Sequence, residues 1–288
     1  MHGTNMLKTV VLLSVLSGIL LIAGEAIGGR QGLYYGLGFA VLMNFFSYYF
    51  SDKMALAMSG ARPLTPEEFP EAYHRVAPMV ERLCVRMNLP MPRLYLTPED
   101  SPNAFATGRN PQHSAMAFTV GILQVMNDEE LEGVVAHELG HVLNRDILIS
   151  SVAATIAAAI TFLARMAMWF GVGGRRDDEE RGNPIAAIAM LILAPIAALL
   201  IQMAISRTRE YDADAASAKY TGNPNQLIDA LRKLDVWSHR IPMDANPATQ
   251  HLYIIQPFTG ESLLRLFSTH PKIEDRIRRL ESMQGARY

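Results

Sequence analysis

Cysteine is nearly absent: Cys84 is the only one in 288 residues. A lone cysteine forms no internal disulfide, and without a C-x-x-C pair the chain has neither a thiolate metal site nor a dithiol redox centre. Cys84 lies in the amphipathic stretch MVERLCVRMNL and reads as a small buried apolar side chain. Charge is scarce too. Charged residues make up 19% of the chain and the net charge is −2, so no basic surface is available to hold nucleic acid. What is left is apolar. Half of the residues are hydrophobic and the mean hydropathy is +0.11, which is high for a soluble enzyme and points to transmembrane segments.

Four stretches approach the roughly 20 apolar residues that cross a bilayer. They run from about 9 to 27, 33 to 50, 147 to 164 and 184 to 205. Only Gly28-Gly29-Arg30-Gln31-Gly32 separates the first two, so a hairpin that stays in the membrane explains them better than a cleaved leader. Pro195 is tolerated in the fourth, because neighbouring helices satisfy the carbonyl it frees. For the third, rich in Ala, Ser and Thr, two readings stand: a full span, or a segment that packs in the bundle and enters the bilayer partway. Lysine and arginine set the orientation. Lys8, Lys53, Arg62, Arg145, Arg207 and Arg209 lie on the side of the main polar domain, against Arg30, Arg175, Arg176 and Arg181 on the other. That bias puts the polar domain in the cytoplasm.

The polar stretch reads helix, strands, helix. Thr65 with Glu68 has the capping-box pattern and Pro66 the first helical position, predicting a helix from there to about Met87. Arg93–Thr97 alternates like a half-buried strand. Asn103–Gly108 and Ser114–Thr119 read as two more, joined by a turn at Arg109-Asn110-Pro111. Asn127, with Glu130 three residues on, opens a helix that carries His137-Glu138-Leu139-Gly140-His141. Positions i and i+4 share a helix face, so the two histidines hand two imidazoles to one ion. Glu138 lies beside that ion, where it holds water without being a ligand; this is the zincin arrangement. The alternative is two surface histidines on an ordinary helix. Val134, Val135, Ala136, Leu139 and Val142 speak against it, since a buried Glu-His cluster with no metal is costly.

A catalytic zinc needs a third protein ligand and an open position. Val-Leu-Asn-Arg-Asp follows His141 and supplies no histidine. The candidate is Glu210, with Asp214 again at i+4. Glu210 would ligate, and Asp214 would accept the second N–H of a ligand histidine and fix its tautomer. By itself E-x-x-x-D is equally the face of a solvated helix; its position favours ligation. No Gly or Pro pair separates the HELGH helix from the third apolar stretch, nor the fourth from Tyr220, so each reads as one long helix. Glu210 follows Ile205 by five residues and His141 precedes Ile147 by six. At 1.5 Å per residue those are heights of about 7.5 and about 9 Å, so an antiparallel hairpin brings the ligands together just outside the bilayer.

HELGH followed by Asn144-Arg145-Asp146, then Glu210-x-x-x-Asp214, with two apolar pairs interleaved, resembles the M48 family of integral membrane metallopeptidases, and within it the HtpX-type bacterial heat-shock proteases. The resemblance runs from residue 1 to about 281 and is strongest in 95–146 and 203–222. It implies an inner-membrane zinc endopeptidase that cleaves misfolded or damaged membrane proteins in quality control and the stress response. It also implies that His270 and Arg276 lie near the metal, with His270 either stabilising the transition state or gating the ion. Prenyl-protein proteases of the same family are more distant, having more than four spans.

The expected fold is an α-helical membrane protein with about four transmembrane helices and a zincin-like metallopeptidase domain, mainly α with a small β-sheet. Its parts are an N-terminal hairpin (1–52), the first part of the protease domain (53–146), a second hairpin (147–205) and the second part of the domain (206–288). One Zn2+ per chain is expected, with Glu138 moving the proton and His270 a candidate oxyanion donor. A polypeptide substrate would add as a strand along Asn103, Ala104, Phe105 and Ala106. Polypeptides and the lipid bilayer are the expected partners, and nucleic acid is not. Two other readings stay open: a narrow-specificity peptidase for a propeptide or prenylated tail, and a membrane scaffold whose metal is structural, closed by His270.

Overall fold

The computed structural model describes residues 2–153, 155–156, 207–240, 254 and 271–285. Helix α1 (His2–Met58) covers both N-terminal apolar stretches as two helices merged across a kink at Gly29. Gly29 has φ 57° and ψ −140°, a backbone state that glycine reaches without a Cβ penalty. Between the two limbs, Asn44 Nδ2 donates to Ser17 Oγ at 2.8 Å. Leu12 and Leu16 of the first limb pack with Ile149, Val152, Ala153 and Ile156, so the third apolar stretch begins docked on this hairpin. Among the described residues no helix is long and apolar enough to cross a membrane. The fourth expected span, and most of the third, lie outside the described residues.

The polar domain centres on a sheet of β1 (Arg62–Pro63), β2 (Arg93–Thr97), β3 (Ala104–Gly108) and β4 (Ser114–Thr119), in the order β1-β2-β4-β3. β2 and β4 are parallel; the outer pairs are antiparallel, and β3 is an edge strand. β2 and β4 have the expected bounds, and β3 begins one residue later than expected, at Ala104. β1, two residues ending in proline, is too short to show any period.

α2 (Pro70–Met87) starts later than the capping pattern predicts. Thr65 Oγ1 does accept from the Glu68 N–H, but the bond closes a separate turn. The ring of Pro70 crowds the residue before it out of the helical region, and Phe69 sits at φ −136°, ψ 65°. The helix ends as expected at Asn88, in the left-handed region. A short α3 (Val120–Val125) leads into α4 (Asp128–Leu143), the HELGH helix. Its capping box is complete: the Glu130 N–H donates to Asn127 Oδ1, and the Asn127 N–H donates to Glu130 Oε2, both at 2.9 Å. α5 (Arg207–Thr221) and α6 (Pro224–Arg240) pack on α4, and α7 (Ile273–Glu281) packs on both of them.

One long helix from HELGH into the third apolar stretch is not what forms. α4 stops at Leu143, Arg145 takes a φ of 58°, and helix resumes at Ile147. The break needs neither glycine nor proline, because its carbonyls are capped within the turn. The Arg145 N–H donates to Val142 O at 3.1 Å and the Asp146 N–H to His141 O at 2.9 Å, the bond pair of a Schellman turn.

Two glycines set how near the other helices come to α4. A Cβ on Gly133 would lie 2.7 Å from the Leu227 backbone nitrogen of α6, and one on Gly140 would lie 3.0 Å from Ala213 Cα of α5. Ser217 Oγ of α5 fastens the contact by donating to the Gly133 carbonyl at 2.7 Å. Gly133→Ala pushes against helix backbone, which cannot swing aside. It is expected to cost about 1–3 kcal/mol of stability. Denaturant unfolding in detergent measures this, and an unchanged midpoint would mean that α6 yields freely.

Candidate metal centre

α4 is apolar around its motif. Val134, Val135, Ala136 and Leu139 are fully buried, so His137 and Glu138 are carried into the interior by the residues beside them. Where α4 has only Gly140, α5 closes in, and Glu210, three residues ahead of Ala213, reaches both histidines. His137 Nε2 lies 3.8 Å from Glu210 Oε2, and His141 Nε2 lies 3.7 Å from Glu210 Oε1. One ligand atom from each of the three residues falls within 4.8 Å of the others. Metal–ligand bonds of about 2.0–2.2 Å place donors about 3–4 Å apart around a tetrahedral ion, so these three fit one zinc with a fourth position open. His141 is partly exposed and His137 fully buried, so the opening is on the His141 side.

Behind the histidines stand two carboxylates. His137 Nδ1 is 3.0 Å from Asp214 Oδ1, the contact expected from the Glu210/Asp214 spacing. Arg276, from α7, forks onto the same carboxylate, with Nε at 2.9 Å from Oδ2 and Nη2 at 2.7 Å from Oδ1. Arg276 is 1% exposed, which only a paired guanidinium tolerates. Its Nη1 donates to Ile254 O at 3.1 Å. His141 Nδ1 lies 3.3 Å from Asp146 Oδ2, a partner that the spacing rules do not single out. The available signal was the tripeptide Asn-Arg-Asp itself, five residues beyond a ligand. His270 is outside the described residues.

Burial and charge set the protonation of the groups. Burial holds His137 down to about 4, with Arg276 adding to it against the Asp214 hydrogen bond. A neutral imidazole is what a metal requires. Burial raises Glu138 to about 7, and Glu210 pushes the same way against His141 and the Ala106 N–H. For His141 burial opposes the charge, but the Asp146 hydrogen bond, Glu210 and Glu138 prevail and raise it to about 9. Burial also works against the Asp214 carboxylate, yet Arg276 and His137 keep its pKa below the usual range.

The expected substrate strand is close by but not bare. Thr119 N–H donates to Asn103 O, and antiparallel alternation then turns Ala104, Ala106 and Gly108 to the free edge. Their N–H groups donate to Asn103 Oδ1, Glu138 Oε2 and Ser151 Oγ, at 2.9, 2.9 and 3.2 Å. Asn103 through Gly108 are all buried. Asn103 Oδ1 also accepts the Ile254 N–H at 3.1 Å.

The model of peptidase family M48 matches residues 70–284. The chain belongs to peptidase family M48. It is a hydrolase of the zinc metalloprotease kind, and its His-His-Glu cluster is one its fold assembles. This M48 chain is 53% identical over 279 residues to a "Protease HtpX homolog" of Desulfatibacillum aliphaticivorans, covering 96% of this chain and 89% of the relative. A "Protease HtpX homolog" of Thermodesulfovibrio yellowstonii is also 53% identical over 279 residues, with 96% and 98% covered. One from Nostoc punctiforme is 50% identical over 284 residues, with 97% and 96% covered. In fold the M48 chain is similar to the crystal structure of S. mikatae Ste24p, with a TM-score of 0.50 at 19% identity, covering 96% of this chain and 65% of that one.

Asp214→Ala removes the carboxylate onto which Arg276 forks and leaves its buried charge with only Glu210, 3.8 Å from Nη1, and the Ile254 carbonyl. Loss of one partner of such a pair costs about 3–5 kcal/mol, so the metal-free variant should unfold at a markedly lower denaturant concentration. A loss below about 1 kcal/mol, the range of a surface pair, would show that Arg276 finds another partner.

Proposed function

We propose that this chain is a membrane-embedded zinc endopeptidase, anchored in the inner membrane with its catalytic domain on the cytoplasmic side. The observation that carries the reading is the convergence of His137, His141 and Glu210 on one point, with Glu138 buried beside His137 on the same helix. Zinc, when bound there, supplies the positive charge that acidifies water and polarises the scissile carbonyl. Glu138 accepts a proton from the attacking water and returns it to the amine nitrogen as the C–N bond breaks. The carboxylate therefore ends each cycle as it began. A carboxylate beside the ion can both take and give a proton in one cycle. Asp214 keeps the proton of His137 on Nδ1 and leaves Nε2 for the metal. Arg276 neutralises Asp214, and His270 is the candidate donor to the oxyanion.

Exposed apolar side chains on α1, among them Tyr34, Tyr35, Leu37, Phe39, Leu42 and Phe46, support a lipid-facing hairpin. An apolar face of that extent needs a cover. The likeness to HtpX homologues supports polypeptide substrates, specifically misfolded or damaged membrane proteins in quality control and the stress response. The substrate lies along Asn103–Ala106. Ala104 and Ala106 are buried and their outward N–H groups engaged, so a substrate strand would have to displace what covers that edge; its recognition would be of main chain and indifferent to side chains.

In Glu138→Gln, zinc content should match the wild type while cleavage of an unfolded membrane protein falls about 10²–10⁴-fold. Wild-type cleavage would remove Glu138 from the mechanism. If the zinc-loaded wild type cleaves no member of a panel of unfolded proteins, the narrow-specificity reading takes its place.

A further inference from the structure

The turn after α4 has a consequence for the metal. In an unbroken helix, residue 146 would be five positions past His141 and rotated about 140° from it around the axis. Its side chain would then face away from the imidazole. The Schellman turn reverses this. It returns the Asp146 N–H to the His141 carbonyl at 2.9 Å and sets Asp146 Oδ2 3.3 Å from His141 Nδ1, so one residue holds the other at both its main chain and its ring. Asp146 is 2% exposed, so its carboxylate stays within the domain, away from bulk water. The turn puts Arg145 at φ 58°, the left-handed region that strains a non-glycine residue. The ring nitrogen opposite Asp146, Nε2, is the one that faces Glu210.

From this geometry, and resting on the metalloprotease reading, we propose that Asp146 is a positioning residue for the metal. It accepts a hydrogen bond from the His141 Nδ1–H, fixes the ring, and leaves Nε2 free to coordinate, as Asp214 does for His137. The two ligand histidines are then oriented by carboxylates from opposite ends of the chain's catalytic region: Asp214 from the helix of the third ligand, Asp146 from the turn that ends the helix of the first two.

The test uses the full chain in detergent. Zinc affinity is measured by competition with a chromogenic chelator, ligand geometry by the visible spectrum of the Co2+-loaded protein, and folding by the unfolding midpoint of the metal-free protein. Asp146→Asn should bind zinc about 10–100-fold more weakly than the wild type and shift the cobalt spectrum; because Asp146 also faces the buried Arg209, affinity is compared under conditions where the metal-free midpoint shows both proteins folded. Arg145→Gly, which relieves the backbone and keeps Asp146 in place, should retain wild-type affinity. Without any substitution, NMR of the zinc-loaded protein should show two slowly exchanging imidazole N–H protons, one for each ligand histidine. Wild-type zinc affinity and cobalt spectrum in Asp146→Asn would overturn the proposal, as would a single protected imidazole proton. The metalloprotease reading fails in a different way: the wild type would bind no zinc, or Glu210→Gln would bind it as tightly as the wild type.

Discussion

The approach of α5 to α4 at Gly140 is the contact on which the centre depends. Gly140 offers no side chain and α5 meets it only with the small Ala213 and Ala216, and the distance from Gly140 to Ala213 decides how far Glu210 is from both imidazoles. α5 is suited to this. It presents Ala213, Ala216, Ser217 and Ala218 inward, all small and buried, so its backbone is drawn in by many short contacts.

Close packing brings charge inside, and the arrangement of that charge follows from the cost. Glu138, Glu210, Asp214, Arg209 and Arg276 are all buried. An isolated buried ion is unaffordable, so each lies near an opposite charge or a directed N–H. Arg276 answers Asp214, Asp214 answers His137, and the Ala106 N–H answers Glu138. The triad of His137, His141 and Glu210 has a cation as its natural complement.

Much of this is legible from residues alone where the signal is local. HELGH fixes its own face because helical spacing is rigid, and Asn127 with Glu130 marks the start of that helix. The strands at 93–97 and 114–119 follow their alternation to the residue. Glu210 is legible from its i+4 partner Asp214 and the family pattern; the apolar stretches counted as rulers lie mostly outside the described residues, and the helix counted from His141 to Ile147 is broken at Arg145. Other features are opaque for physical reasons. The late start of α2 depends on one proline acting on its neighbour. The break at Asn144–Asp146 has no glycine or proline to mark it, so a reader of spacing continues the helix and turns Asp146 to the wrong side. The pairing of Arg276 with Asp214 joins two helices far apart in the chain, and no period in either reveals it; here only the family resemblance placed Arg276 near the ion.

The row of engaged N–H groups along β3 has a further meaning. A sheet edge is a template that accepts any extended chain, and unguarded edges lead proteins to join into fibres. Here the guard is made of three side-chain oxygens, from Asn103, Glu138 and Ser151. One of them belongs to the residue that would carry the proton. The same carboxylate that occupies this edge is thus the one proposed to act on the polypeptide.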